Sequence, residues 1–221
     1  MSDPAALMFR DRLRCWVASC ARTLPWRNAT PFGILIAEVM LRRTRAEQVA
    51  PVFHRFLARY PDAVALAAAP DEEITEVVRP LGLEWRVPAF KQLAQALIAR
   101  HGGQVPVEME QLLALPGVGD YIANAVRVFA FDRPSALIDT NTVRVAARYF
   151  GFPYHADSRR NRGVRARVEP LLDQQRPRES ARTLLDFAAL VCNARQPKCS
   201  TCPVADSCVY ARFKNVDPED S

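Results

Sequence analysis

Lysine is scarce in this chain. Only Lys91, Lys198 and Lys214 stand among the 30 basic residues of the 221, so the net charge of +6 is carried almost entirely by arginine. Lysine amine nucleophiles therefore have only three places to stand. Long apolar runs are missing as well: no stretch approaches the ~18 apolar residues of a membrane span. The N-terminus from Met1 to Arg14 is charged and lacks the apolar run of a signal peptide. These absences predict a soluble, intracellular protein with no membrane partner. Sustained two-residue alternation is absent, which argues against sheet, and no tandem repeat is visible. Nor are the six cysteines spread as in a secreted disulfide framework, since four gather near the C-terminus.

What is present is helical spacing in a chain that is 49% hydrophobic, enough for a packed core in one large or two small domains. Candidate helices cover about 4–21, 32–45, 47–60, 71–79, 88–101, 107–114, 120–131, 140–149, 160–174 and 178–192. Most prolines fall between them, where helix breakers belong. Pro51 and Pro88 fall near first turns, and Pro170 is placed to kink or split the 160–174 segment. The expectation is an all-α protein with short connections. A pI near 9.2 suits a polyanionic partner, because neutralised phosphates release counterions; a solvated basic surface is the plainer reading.

Cys192, Cys199, Cys202 and Cys208 form C-x6-C-x2-C-x5-C. Four thiolates so close in sequence can close around one metal centre, and both zinc and a [4Fe–4S] cluster accept four cysteines. Structural zinc sites usually show two tight C-x2-C knuckles, and here there is one, which favours the cluster. Arg195, Lys198 and Arg212 could present charge from that loop. Cys15 and Cys20 lie in the first helix and read as packing residues.

Leu115-Pro116-Gly117-Val118-Gly119 joins two candidate helices. Its glycines permit a tight turn, and exposed N–H groups at the start of the next helix suit a phosphate oxygen. Further on comes Leu137-Ile138-Asp139-Thr140-Asn141-Thr142-Val143-Arg144-Val145. An aspartate before an amphipathic helix is ordinarily an N-cap.

Together, the hairpin at 115–119, the segment at 137–145 and the four-cysteine loop resemble the endonuclease III family of helix–hairpin–helix DNA glycosylases. The resemblance spans Leu24 to Cys208. It implies two domains: a six-helix barrel with the hairpin over 25–136, and an iron–sulfur domain of 1–24 plus 137–221. It also implies a DNA-binding cleft between them and a [4Fe–4S] cluster on the four cysteines. Lyase-active members carry a Schiff-base lysine two residues after the second hairpin glycine. Here that position is Tyr121, so the resemblance implies base excision without strand cleavage. Adenine-excising members usually carry serine there and a further C-terminal domain, whereas this chain ends soon after its cysteines. Tyr121, with Ala37-Glu38-Val39-Met40-Leu41-Arg42-Arg43-Thr44 upstream, looks most like the thymine/uracil mismatch members, which act on G·T and G·U pairs.

From the same resemblance, Asp139 is the expected catalytic aspartate. It would stabilise positive charge on the sugar and orient or deprotonate water. Glu38 lies in an otherwise apolar stretch, where burial would favour its protonated form and use as an acid or a hydrogen-bond partner of the base. Tyr121 is expected to contact the flipped nucleotide or wall the pocket, and Asn141 to hold a water or the aspartate. Arg43 matches the wedge that fills the stack once a base is flipped out. Leu115, Gly117, Val118, Gly119, Arg43 and Asn141 are the expected DNA-binding residues. The expected partner is double-stranded DNA with a mismatch or lesion, and the expected state is a nucleoid-associated monomer. Trp85 and Arg86 fall in a loop with a weaker claim on DNA. The rival readings are an adenine glycosylase, a DNA-binding protein without catalysis, and a zinc-stabilised helical protein.

Overall fold

The computed structural model describes residues 3–42 and 44–214. Arg43, the expected wedge, lies outside the described residues. Among those described there is no strand. The α-helices are α1 (Pro4–Val17), α2 (Pro31–Met40), α3 (Ala46–Arg59), α4 (Ala63–Ala68), α5 (Asp71–Val78), α6 (Val87–His101), α7 (Met109–Leu113), α8 (Asp120–Phe131), α9 (Thr140–Phe150), α10 (Arg162–Val168), α11 (Pro177–Leu190) and α12 (Val209–Lys214). The expected all-α class is what the chain adopts. No helix among the described residues is long and apolar enough to cross a membrane.

The chain divides into two compact units. One is Thr23–Arg133; the other joins the stretch up to Arg22 with the stretch from Pro134 onward. The first is organised around Phe56, Phe90, Leu66, Ile74, Leu97 and Leu112, all fully buried. Helix α3 shows how the sequence commits to this core. Val49, Val52, Phe53 and Phe56 are its buried residues, spaced at one face of a 3.6-residue repeat. Helix α2 is different, being buried on every side from Phe32 to Met40. It starts where Thr30 accepts the Gly33 N–H at 3.2 Å and Pro31 takes the first helical position. It packs on α8, and α4 packs on α6.

In the second unit α9 packs against α10, α11 and α12, and α1 packs along α11. Phe9 lies edge-to-face with Tyr149 at 4.8 Å and with Phe187 at 5.9 Å. The Arg22 guanidinium meets the fully buried Asp186 carboxylate at 2.7 Å, tying the end of the first segment to α11.

Several expectations on helix extent need correction. The 4–21 and 32–45 segments stop at Val17 and Met40. Helices α4 and α12, six residues each, leave too short a trace for periodicity to reveal. Pro51 sits inside α3 beyond its first turn; the helix continues past it without that N–H bond. Pro170 ends α10 early, and a 3-10 turn, Glu169–Leu171, takes over.

Candidate active site and cysteine centre

The hairpin stands between α7 and α8. Leu115 and Val118 turn their side chains into the core, while Gly117 and Gly119 are exposed. The Val118 N–H closes the turn on the Leu115 carbonyl at 3.2 Å. Gly117 adopts φ +77°, the left-handed region a glycine enters without strain. Nothing lies within 4 Å of the space above either glycine. Their N–H groups carry no hydrogen bond among the described residues, and α8 begins at the next residue. Exposed N–H groups at a helix N-terminus are an arrangement that can seat an anion. Leu115 and Val118 anchor this turn from below.

Glu38 sits on α2 and is 5% exposed. Tyr121, in the first turn of α8, is half-buried and packs on the core of the same unit. No lysine is near the hairpin in sequence. Lys91, on α6, pairs with Asp71 at 2.8 Å.

Asp139 belongs to the other unit, where it is the N-cap of α9 (φ −127°, ψ −176°). Oδ1 accepts the N–H groups of Asn141 at 2.9 Å and Thr142 at 2.7 Å. The Thr142 hydroxyl accepts the Asp139 N–H at 3.0 Å, which completes a capping box. Oδ2 accepts one bond, from Asn141 Nδ2 at 2.8 Å. The N-cap and catalytic readings are thus compatible: one oxygen holds the helix, and the other keeps lone-pair capacity.

Arg144 is a residue the sequence reading passed over. It is 6% exposed, one turn along α9. Nη1 donates to Asn141 Oδ1 at 2.9 Å, Nε to the Cys192 carbonyl at 3.0 Å and Nη2 to the Ala188 carbonyl at 3.0 Å. Arginine only donates, so the Asn141 atom facing it must be oxygen, and the amide nitrogen must face Asp139. Its burial pulls the guanidinium pKa below its ordinary value, against the raising effect of Cys192. The available signal was helical spacing: 141 and 144 share one face.

All six cysteines are free. Cys192, Cys199, Cys202 and Cys208 line a single pocket, together with Val145, Arg148 and Phe187. Burial, aided by the neighbouring cysteines, pushes the Cys202 thiol up to about 11, and burial also raises Cys208. Buried sulfurs that oppose one another's ionisation need a cationic centre to become thiolates together. Arg148 supplies part of the frame, with Nη1 3.5 Å from Cys192 Sγ and 2.7 Å from the Asn193 carbonyl. Among the described residues no group of three or more His, Cys, Asp or Glu is gathered as for a single metal ion.

Residues 36–170 match the family described as HhH-GPD superfamily base excision DNA repair protein. A thymine-DNA glycosylase of Aeropyrum pernix is 41% identical over 86% of this chain and 87% of its own length. A thymine/uracil-DNA glycosylase of Pyrobaculum aerophilum is 39% identical over 91% of each. An adenine DNA glycosylase of Mycolicibacterium smegmatis is 34% identical over 87% of this chain and 66% of its own length. The solved structure of a thermostable thymine-DNA glycosylase superposes with a TM-score of 0.86 at 32% identity, covering 95% of this chain and 97% of that one.

Proposed function

We propose that this chain, which belongs to the HhH-GPD superfamily of base excision DNA repair proteins, hydrolyses the N-glycosidic bond of thymine or uracil mispaired with guanine and leaves the abasic strand uncut. It is a DNA glycosylase acting on double-stranded DNA. The observation that carries the chemistry is the Asp139 carboxylate, fixed by three N–H donors and still open at Oδ2.

A base inside a duplex must be flipped out before its bond can break, and a mispaired base costs less to extrude. The hairpin N–H groups of Gly117 and Gly119 grip a backbone phosphate. As the glycosidic bond lengthens, positive charge grows on the sugar, and the Asp139 carboxylate stabilises it. The open lone pair of Oδ2 orients the attacking water and receives its proton. Glu38 serves the departing base as an acid or hydrogen-bond partner. Tyr121 holds the place where a lysine would form a Schiff base; a phenol cannot, so the base is released and the sugar stays in an uncut strand.

The four cysteines suit a [4Fe–4S] cluster. Structural zinc sites usually show two tight C-x2-C knuckles, and this loop has one, Cys199–Cys202; the four sulfurs line one shared pocket. Such a cluster takes one thiolate per corner. Bound there, it would supply the positive charge the buried sulfurs lack. The residues that would hold it are Cys192, Cys199, Cys202 and Cys208.

The test is base release from G·T, G·U, G·A, oxidised-guanine·A and undamaged duplexes, with alkali added to half of each sample. Strand breaks at G·T and G·U only after alkali are the expected result. Release of adenine instead would move the chain to the adenine-excising reading, which the 34% identical relative favours. Breaks without alkali would overturn the monofunctional assignment.

A further inference from the structure

Helix α2 ends without the glycine that commonly closes a helix. Leu41 and Arg42 follow Met40, and the Leu41 N–H takes the Ala37 carbonyl at 2.8 Å. The next carbonyls are met by a side chain from far along the chain. Arg86 donates from Nη1 to the Val39 carbonyl at 3.0 Å and from Nη2 to the Arg42 carbonyl at 3.1 Å. It is 5% exposed, and its guanidinium lies 4.6 Å from the centre of the Trp85 ring. One rigid fork thus spans the last turn of α2 and the turn that leaves it. A lysine ammonium, a point charge on a flexible stem, cannot hold both carbonyls in that fixed relation.

The turn held in this way carries a second guanidinium. Arg42 donates from Nη1 to the Gly117 carbonyl at 3.3 Å. The direction of that carbonyl fixes the plane of the peptide between Gly117 and Val118, and so the presentation of the hairpin. Arg86, the Arg42 backbone, the Arg42 side chain and Gly117 therefore form one series. It joins the segment before α6, the end of α2 and the hairpin.

We propose that Arg86 and Arg42 are positioning residues that hold the phosphate-binding hairpin and the helix bearing Glu38 in one register. The inference rests on the function proposed above for the hairpin and Glu38. Its physical claim, that the two segments are mechanically linked, can be read without substrate.

Hydrogen exchange on the free, full-length protein is the first arm. In Arg86→Lys, segments 38–42 and 115–121 should both exchange at least tenfold faster. In Arg42→Ala the hairpin segment should loosen and 38–42 should stay protected. Faster exchange in 38–42 of Arg86→Lys with an unchanged hairpin would overturn the linkage. The second arm is single-turnover excision from a G·T duplex at saturating enzyme. Each variant should lose about tenfold, and the double variant should lose little more, since two links in one series are not additive. Affinity for undamaged duplex should fall to the same extent in both, because each loosens the same phosphate grip. An additive loss of about a hundredfold would overturn the proposal. So would an affinity loss in Arg42→Ala that Arg86→Lys does not reproduce, which would make Arg42 a direct phosphate contact. Should the wild type release no base from any duplex, the functional reading fails, and hydrogen exchange still decides the clamp.

Discussion

Asp139→Asn separates the N-cap duty of this residue from the catalytic one proposed for it. Asparagine is a good N-cap, so its carbonyl oxygen can take over the two backbone N–H bonds now made by Oδ1. Its amide nitrogen then occupies the place of Oδ2, 2.8 Å from Asn141 Nδ2, and two donors face each other. Rotating the Asn141 amide offers no escape, because its nitrogen would then confront Arg144 Nη1, now 2.9 Å from Asn141 Oδ1. One hydrogen bond is lost and one polar group is left unmatched in a half-buried site. That costs about 1–3 kcal/mol. A chain of this size loses about 2–4 °C of Tm per kcal/mol, so a fall of roughly 2–12 °C is expected. Excision should drop by about 10²–10³ once the carboxylate charge is gone.

The swap Asp139→Asn with Asn141→Asp tests the reasoning. The amide introduced at position 139 then donates to the carboxylate introduced at position 141. That carboxylate also accepts from Arg144, and every bond in the series is remade. Thermal melts of the swap should recover most of the lost Tm, while excision from a G·T duplex should stay at the level of the single variant. An unchanged Tm in Asp139→Asn would refute the assigned polarity of the series. Near wild-type excision in the same variant would refute the catalytic assignment, whatever the melt showed.

Tyr121→Lys should introduce borohydride-trappable adducts with DNA at a rate well below that of base release, read on denaturing gels; their absence means the amine does not reach the sugar. Cys199→Ser should abolish visible absorbance near the blue and lower Tm by more than about 5 °C, and zinc without iron in the wild type by metal analysis would defeat the cluster assignment. Gly151→Ala should be strongly destabilising, since φ is +75° and the new Cβ would stand 2.5 Å from Val209 Cγ1. Gly117→Ala meets no atom within 4 Å, so strain in the left-handed region, about 1–2 kcal/mol, should be its whole cost in a denaturation curve.

Most of the helical fold could be read from spacing because long amphipathic helices such as α3 repeat their buried face several times. Six-residue helices could not. Asp62 accepting the Ala65 N–H at 2.8 Å is the local signal for α4, but alanine-rich turns carry no contrast between faces. Asp139 was legible as an N-cap from type and position alone, and the catalytic role proposed for it rests on the company of other motifs. Arg144 and Arg86 were not legible. Each acts on backbone carbonyls more than forty residues away, and no pattern in the neighbouring sequence says which carbonyls a helix end leaves open.

The arginines themselves show why net charge is an incomplete guide to a DNA-binding protein. An excess of +6 invites the picture of guanidiniums arrayed toward phosphate. Several instead donate to backbone oxygen. Arg100 takes the Ala114 carbonyl at the end of α7, at 3.1 Å, and Arg127 takes that of Val107 at 3.2 Å. Arg148 holds the Asn193 and Ala194 carbonyls, and Arg86 and Arg144 close α2 and the segment after α11. Helix C-termini carry partial negative charge and unpaired carbonyls, so a bundle of many short helices has a large internal demand for planar, multi-donor cations. Arginine meets it with a rigid fork that remains protonated when buried; lysine would lose both the geometry and, on burial, much of its charge. The scarcity of lysine is thus consistent with the architecture itself. The same substitution of donor chemistry that closes the helices leaves the hairpin without an amine, and with it without the group that strand cleavage through a Schiff base requires.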